Sequence, residues 1–302
     1  MPLNLTVGLR KRHPTMLPTA KARTSARVAA GLLLACIVIT IPKLVDAQTC
    51  SFDKLMIREI RKSIEARPLP DPLTAEMKPV SHQLASSRTA RGIALARQKG
   101  SPELGFFLAL PGNAQTAREL IGALEPASVA GYEVVAFDYP NLVGQAALPR
   151  LHELVADVNA LVSIYLLNEK YKGKASILYG VSTGGLLLAQ TLRNQFPGTL
   201  TLVLDSVPDR IPKFLWCDSE LNPSDAVASM KPPKNALLVV NGASDPKVLP
   251  ANSRALAEAA ERNSGCHIVI QGAIHPFESG DNAGRRMENI LSYAKTKECK
   301  SK

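Results

Sequence analysis

The sequence contains no C-x-x-C pair, so it offers neither a structural zinc site nor a thioredoxin-like redox motif. It also shows no internal repeat and no low-complexity tract. The apolar run Val28–Ile41 has only 14 residues, whereas a helix that spans a bilayer needs about 20. What is present is 46% hydrophobic and 21% charged residues, the usage of an ordinary globular protein. We therefore expect one main globular domain without a metal or cofactor.

The net charge of +10 comes mostly from the N-terminus. Residues 1–47 hold seven of the 36 basic side chains and one of the 26 acidic ones. The rest of the chain keeps 29 basic and 25 acidic side chains, a net charge of only +4. Such a balanced surface is not the electrostatic footprint of a nucleic-acid-binding protein, so we expect no nucleic-acid partner.

Residues 1–47 have the order of a secretory signal peptide. A basic stretch precedes the apolar run, and Val45 to Ala47 places small residues where signal peptidase cleaves. We expect cleavage after Ala47 and a periplasmic or secreted product that contacts a membrane only through this segment. An uncleaved membrane anchor and a lipid on Cys36 are the alternatives.

The four remaining cysteines are an even number, which suits an oxidising compartment. They are Cys50, Cys217, Cys266 and Cys299. All strands of a parallel sheet begin at one edge, and Cys266 stands just before a predicted strand. The last predicted helix returns to that edge, so Cys299 should lie near Cys266. This topology predicts a Cys266–Cys299 disulfide and leaves Cys50 to pair with Cys217.

From residue 80 onward, short apolar runs alternate with helical patterns, which predicts βα units. The fold class that follows is α/β, a three-layer αβα sandwich with a mostly parallel sheet. The predicted strands are Gly92–Arg97, Phe106–Leu110, Glu133–Asp138, Ala175–Tyr179, Leu200–Asp205, Ala236–Asn241 and His267–Gln271. The predicted helices are Gln115–Leu124, Leu151–Asn168, Leu186–Gln195, Ala251–Arg262 and Ala283–Lys295. Residues 48–79 are predicted to form an arm, with an amphipathic helix over Phe52–Ala66 and a proline-rich linker, ahead of a domain over 80–302.

Gly180 to Gly184 read G-x-S-x-G, the pattern of a nucleophile elbow. A buried strand precedes Ser182 and a helix follows it, which is the setting that the elbow requires. The glycines on either side let the strand and helix approach each other closely. Ser182 is therefore the predicted nucleophile.

A serine hydroxyl needs a base, and the base needs a carboxylate to orient it. His275 follows the C-terminal end of a predicted strand, at the edge of the sheet where ligands bind. His267 lies inside that strand and should point into a packed layer. Asp245 follows the preceding predicted strand and is the predicted acid, with Asp205 as its rival. The order Ser182, Asp245, His275 is the order of an α/β-hydrolase triad.

The remaining site residues are inferred from their positions. The backbone N–H groups of Thr183, at the start of the helix, and of Asn113, in the loop after FFLAL, are the predicted oxyanion donors. Residues 208–233 are predicted to form a small cap, with Phe214 and Trp216 lining an apolar acyl site. A packed surface loop is the alternative for this segment.

The motifs PGNAQ, GYEVVAFDYP, LYGVSTGG, NGASDPKVLPANSRALAEAA and GAIHPF occur in this order over roughly residues 85–296. In that order they resemble the α/β-hydrolase superfamily, in particular its serine-aminopeptidase-like esterase branch. The resemblance implies hydrolysis of carboxylic esters or related acyl bonds, a small-molecule or acyl substrate and no cofactor. The sequence departs from that branch at Pro111, where a histidine is usual, and at Pro140 to Gln145, where a Gly-rich stretch is usual.

Two classes of function remain open on the sequence. One is a serine hydrolase, which includes peptidases and thioesterases with the same triad. The other is a catalytically silent binding protein on this scaffold, since the loop at Pro111 lacks the usual histidine. Neither the substrate nor the oligomeric state follows from the sequence.

Overall fold

The computed structural model describes residues 76–84, 88–112, 115–139, 151–193, 196–210, 221–278 and 283–299, and also residues 58, 61, 62 and 74. All of them belong to one compact unit, residues 49–302. The predicted signal peptide lies outside these residues, as does nearly all of the predicted helix Phe52–Ala66.

An eight-stranded sheet forms the centre of the described structure, in the order β1-β2-β4-β3-β5-β6-β7-β8. Its strands are β1 Met77–Gln83, β2 Thr89–Leu95, β3 Gly105–Leu110, β4 Tyr132–Phe137, β5 Ser176–Val181, β6 Leu200–Asp205, β7 Leu237–Gly242 and β8 Cys266–Ile270. β2 pairs antiparallel with both β1 and β4. The other five pairings are parallel, so β3 to β8 all end at the same edge.

Helices cover both faces of the sheet. They are α1 Ala117–Ala123, α2 Glu125–Ala130, α3 Leu151–Leu166, α4 Thr183–Thr191, α5 Pro223–Ser229, α6 Arg254–Arg262 and α7 Ala283–Thr296. Helices α3 to α6 pack on one face, whereas α1, α2 and α7 pack on the other. Within the part of the chain that the structure describes, no helix has the length and apolarity to cross a membrane.

The sequence of β3 illustrates why this sheet is covered on both sides. All six residues of β3 are buried. Phe106 and Leu108 face the α3 side, and Phe107 and Ala109 face the α7 side. A near-continuous apolar run is what a parallel strand between two helical layers requires. The three-layer αβα sandwich predicted from the sequence is confirmed.

Several elements differ from their predicted bounds. β1 was not predicted, because Met77–Gln83 is an edge strand whose residues are mostly exposed and polar. α4 begins at Thr183, three residues before its predicted start at Leu186. Of the predicted cap, residues 208–210 and 221–233 are described, and the second stretch contains α5, whose Ala226 and Val227 are buried in the core.

Cys266 and Cys299 form a disulfide, with their Cα atoms 5.6 Å apart. Cys266 is the first residue of β8, and Cys299 follows α7, so both lie at the edge where the parallel strands begin. This pairing confirms the prediction from topology. Cys50 and Cys217 lie outside the described residues.

Candidate active site

Ser182 occupies the sharp turn between β5 and α4. Its φ of 49° and ψ of −114° put a residue other than glycine in a region that L side chains rarely adopt. Such a conformation persists only where its surroundings enforce it, and it clusters at functional sites. The Ser182 N–H donates to the Asp205 carbonyl at 2.8 Å, which ties this turn to the end of β6.

The glycines around Ser182 are required by close approach. A Cβ on Gly180 would lie 2.4 Å from the Cα of Gly185, too close for any side chain. A Cβ on Gly184 would lie 2.5 Å from the carbonyl oxygens of both Leu110 and Pro111. Helix α4 therefore packs directly on β5 and on the loop that follows β3.

Asp245 and His275 form a hydrogen-bonded pair at the edge of the sheet where Ser182 lies. The His275 Nδ1 and Asp245 Oδ2 atoms are 2.9 Å apart. Asp245 is 0% exposed and His275 is 5% exposed, so water does not compete for this bond. Asp245 Oδ1 accepts the backbone N–H groups of Lys247 and Val248 at 2.8 and 2.9 Å. The carboxylate thus holds the imidazole through Nδ1, and the Nε2 atom of His275 takes no part in this bond.

The ionised form of Asp245 is favoured. Burial by itself raises its pKa, but the hydrogen bonds from His275 and Val248, and the charge of His275, outweigh burial and lower the pKa from 3.8 to about 2. The buried Ser206 hydroxyl lies close enough to contribute to this lowering, although it makes no hydrogen bond of ordinary length to any residue that the structure describes. The φ of Ser206 is 50°, so a second serine with positive φ lies next to the site.

Asp205, the rival acid, is engaged elsewhere. Its carboxylate accepts Arg286 Nη1 at 2.6 Å and the Tyr179 hydroxyl at 2.7 Å. Asp205 and Arg286 are both 0% exposed, so each charge neutralises the other in the core. Arg286 also donates through Nη2 to the Ile274 carbonyl at 2.7 Å. Through Arg286, Asp205 therefore holds the backbone of Ile274, the residue before His275, rather than the imidazole of His275.

Two other histidines have partners outside the predicted triad. His82 Nε2 lies 3.1 Å from the Tyr165 hydroxyl, and burial lowers the pKa of His82. His267 Nε2 lies 3.0 Å from Asn241 Oδ1, within the layers as predicted, and burial lowers its pKa as well. Neither histidine contacts Ser182 or Asp245.

Residues 274–278, the histidine loop, are each held by a residue from another segment. The contacts are Arg286 to the Ile274 carbonyl, Asp245 to His275, Gln115 to the Pro276 carbonyl, Tyr179 to Phe277 by edge-on ring contact and Lys247 to Glu278 by an ion pair. An imidazole in such a loop is held in one orientation before any substrate binds. Preorganisation of this kind is what a general base requires.

We call residues 111–114 the oxyanion loop, after their predicted role; of these, Pro111 and Gly112 are described, and Gly112 lies directly beside Ser182. A Cβ on Gly112 would lie 3.3 Å from the Cβ of Ser182. The Gly112 N–H donates to Gln115 Oε1 at 2.9 Å, and the Tyr139 hydroxyl donates to the carbonyl of the first residue in the loop. These two side chains brace the loop in a chain that has no histidine there.

Solved structures of other proteins share this arrangement of strands and helices. The esterase domain of a Rhodothermus marinus protein superposes with a TM-score of 0.54 at 18% identity, over 72% of this chain and 97% of that one. An esterase from Pyrococcus furiosus gives 0.54 at 21% identity, over 76% and 94%. A bacterial membrane phospholipase A gives 0.54 at 12% identity, over 90% and 100%.

This chain has the α/β-hydrolase fold. No protein-family model matches it, and no curated protein does either. The branch within the superfamily that the motifs suggested stays a prediction.

In the α/β-hydrolase fold the residue after the nucleophile supplies an oxyanion donor. Thr183 follows the predicted nucleophile Ser182 and is the first residue of α4. The second predicted donor, Asn113, lies outside the described residues. So do the predicted pocket residues Phe214 and Trp216.

Elsewhere, the described residues form a cavity but no metal-binding cluster. Those residues contain no cluster of three or more His, Cys, Asp or Glu side chains that could hold a metal. A cavity of about 430 Å³ lies at the opposite edge of the sheet, beside the first residues of β3 and β4. Its wall includes Lys170 and Glu133, which pair with each other, and none of the triad residues.

Three residues of this site were missed by the sequence reasoning. Arg286 has a sequence signal, because it shares the apolar face of α7 with Met287 and Ile290, where a charge is out of place. Gln115 and Ser206 have none, since both act through contacts that only the folded chain creates.

Proposed function

We propose that this protein is a serine hydrolase that cleaves carboxylic esters or related acyl bonds. The observation that carries the proposal is the strained Ser182 turn at the same sheet edge as the buried Asp245–His275 pair. The α/β-hydrolase fold of the esterases reported above supports it.

The chemistry follows from the roles of the three side chains. His275 Nε2 takes the proton from the Ser182 hydroxyl as its oxygen attacks the acyl carbonyl carbon. The N–H of Thr183, with that of Asn113, stabilises the negative charge on the carbonyl oxygen. His275 then gives the proton to the leaving alkoxide, and the alcohol departs from an acyl-Ser182 intermediate.

The second half of the reaction uses the same groups. His275 deprotonates a water molecule, which attacks the acyl carbonyl carbon. The bond from that carbon to Ser182 then breaks, and His275 gives the proton to the Ser182 oxygen as the acid departs. Asp245, ionised because its pKa is about 2, offsets the positive charge on His275 in both halves. A peptide or a thioester could enter the same sequence, so the leaving group is a matter for experiment.

We propose that the protein is exported, with cleavage after Ala47. The Cys266–Cys299 disulfide supports this, because disulfides persist in oxidising compartments. Sequencing the N-terminus of the protein recovered from the periplasm or the medium should give Gln48 as the first residue. A lipid on Cys36 or an intact apolar run would contradict it.

The hydrolase is tested with the chain from Gln48 onward and p-nitrophenyl acetate as substrate. Ser182→Ala should lower kcat by more than about 1000-fold, because losing the nucleophile disables the triad as a unit. The same variant should fail to react with a fluorophosphonate probe. Ser163→Ala, which removes an exposed hydroxyl on α3, is the matched control and should keep the activity.

Two results would change the proposal. Wild-type protein that neither hydrolyses esters, thioesters or aminoacyl substrates nor reacts with the probe would favour the silent binding protein. Retention of more than about a tenth of the activity in Ser182→Ala would remove Ser182 as the nucleophile.

A further inference from the structure

Gln115 connects the oxyanion loop, whose Gly112 lies beside Ser182, with the histidine loop. Its Oε1 accepts the Gly112 N–H at 2.9 Å, and its Nε2 donates to the Pro276 carbonyl at 2.7 Å. Gly112 belongs to the oxyanion loop and Pro276 to the histidine loop, 161 residues after Gln115 in the sequence. One side-chain amide thus links the two loops.

The two hydrogen bonds use both ends of the amide. With its oxygen on one loop and its nitrogen on the other, the Gln115 amide is held in a single orientation. A shift of the histidine loop would therefore be passed to the oxyanion loop, and the reverse. The Gly112 N–H is also removed from the set of groups that could bind the oxyanion, which leaves that role to other N–H groups of the site.

We propose that Gln115 is a positioning residue that sets the distance between the oxyanion loop and the histidine loop. Through that distance it aligns the oxyanion donors with Ser182 and His275. The inference rests on the proposed hydrolase function and deepens it. It assigns to this chain a structural replacement for the missing oxyanion-loop histidine.

The effect of removing the two Gln115 hydrogen bonds should appear in kcat. The donors bind the developing oxyanion more strongly than the ground-state carbonyl, so their misalignment raises the barrier and leaves substrate binding unchanged. A displacement of about 1 Å can cost on the order of 100-fold in rate. Gln115→Met keeps the length of the side chain and removes both hydrogen bonds. We expect its kcat to fall about 10- to 100-fold, with KM unchanged within about two-fold.

Gln115→Glu separates a positioning role from a general loss of packing. A protonated glutamic acid can accept from Gly112 and donate to the Pro276 carbonyl, as glutamine does, whereas the ionised form cannot donate. The ratio of variant to wild-type kcat should therefore rise as the pH is lowered. For Gln115→Met the same ratio should stay flat across the pH range.

Gln190→Met is the matched control. Gln190 is a buried glutamine on α4 whose Nε2 donates to the Asn222 carbonyl at 3.2 Å, away from the site. The Gln190→Met variant should lose some stability and keep the wild-type kcat. Thermal unfolding of all three variants identifies any that do not fold, and Gln115→Glu carries the test if Gln115→Met is one of them.

The outcomes are distinguishable. If the wild type hydrolyses the ester and Gln115→Met has a kcat within about three-fold of the wild-type value, the role of Gln115 is overturned and the hydrolase proposal stands. An effect confined to KM, or an equal loss in Gln190→Met, would do the same. Wild-type protein with no activity and no probe labelling would overturn the proposed function, and this inference with it.

Discussion

At the scale of single residues, the site distinguishes two buried aspartates that the sequence leaves as rivals. Asp245 contacts His275, and Asp205 contacts Arg286. Asp205 ends one apolar strand and Asp245 follows the next one, at the same edge of the sheet, so periodicity could not decide between them. The choice depends on which basic side chain each carboxylate contacts. For Asp205 that side chain is Arg286, which belongs to helix α7.

Substitution of each aspartate by asparagine should separate their roles. Asp245→Asn should lower kcat by about 10,000-fold and leave the protein folded, because it favours the wrong imidazole tautomer. Asp205→Asn should lower the free energy of unfolding by about 3 to 5 kcal/mol, because it leaves Arg286 buried without its counter-charge. Steady-state kinetics and urea unfolding measure the two effects. If Asp205→Asn abolishes kcat and Asp245→Asn does not, Asp205 is the triad acid.

The lowered pKa of Asp245 predicts a pH dependence of stability. Folding lowers this pKa from 3.8 to about 2, so the ionised carboxylate stabilises the folded protein. The contribution is fully present above pH 3.8 and is lost as the pH falls through 2. Between pH 5 and pH 2, the difference in unfolding free energy between wild type and Asp245→Asn should fall by about 2 kcal/mol. A difference independent of pH in urea titrations would contradict the lowered pKa.

At the scale of elements, the close contact between α4 and the oxyanion loop requires a glycine at position 184. A Cβ there would meet two backbone carbonyl oxygens of the oxyanion-loop region at 2.5 Å. Backbone cannot rotate away as a side chain can, so Gly184→Ala should displace the loop and lower kcat by roughly 100-fold. Wild-type kcat in this variant would mean that the position of the loop does not matter.

Gly122 provides the control for Gly184. It lies in α1, and a Cβ at this position would meet nothing within 4 Å. Gly122→Ala should raise the free energy of unfolding by about 0.5 to 1 kcal/mol, because alanine loses less backbone entropy in a helix. Its kcat should equal that of the wild type.

The elements that the sequence predicted well are those with a strong apolar pattern. All seven predicted strands correspond to strands of the sheet, and four of them, β3, β5, β6 and β7, are buried throughout. The start of α4 was placed too late because Gly184 and Gly185 resemble a turn, and no side chain caps the helix. The partners of the loops, such as Gln115 with Pro276, could not be predicted, because they depend on the packing of distant segments.

At the scale of the whole molecule, the disulfide and the candidate active site lie at opposite edges of the sheet. The disulfide could be predicted because the direction of parallel strands alone brings the start of β8 and the end of α7 together. It closes a loop of 33 residues, which on the chain-entropy estimate stabilises the fold by roughly 3 to 4 kcal/mol.

The double variant Cys266→Ser, Cys299→Ser should therefore unfold at lower urea, with that loss of free energy. Its kcat under folding conditions should match the wild type, because neither cysteine lies near Ser182. Urea unfolding and ester hydrolysis on the same samples measure both quantities. A collapse of kcat in the folded variant would show that the two edges are coupled.

Helix α7 follows every triad residue in the chain and carries Arg286, which holds the carbonyl next to His275. A ribosome makes the nucleophile, the acid and the base before it makes this helix. An unfinished chain therefore has all three chemical groups but lacks the contact that steadies the imidazole. On the proposed function, cleavage of acyl bonds would therefore begin only after α7 has packed against the sheet.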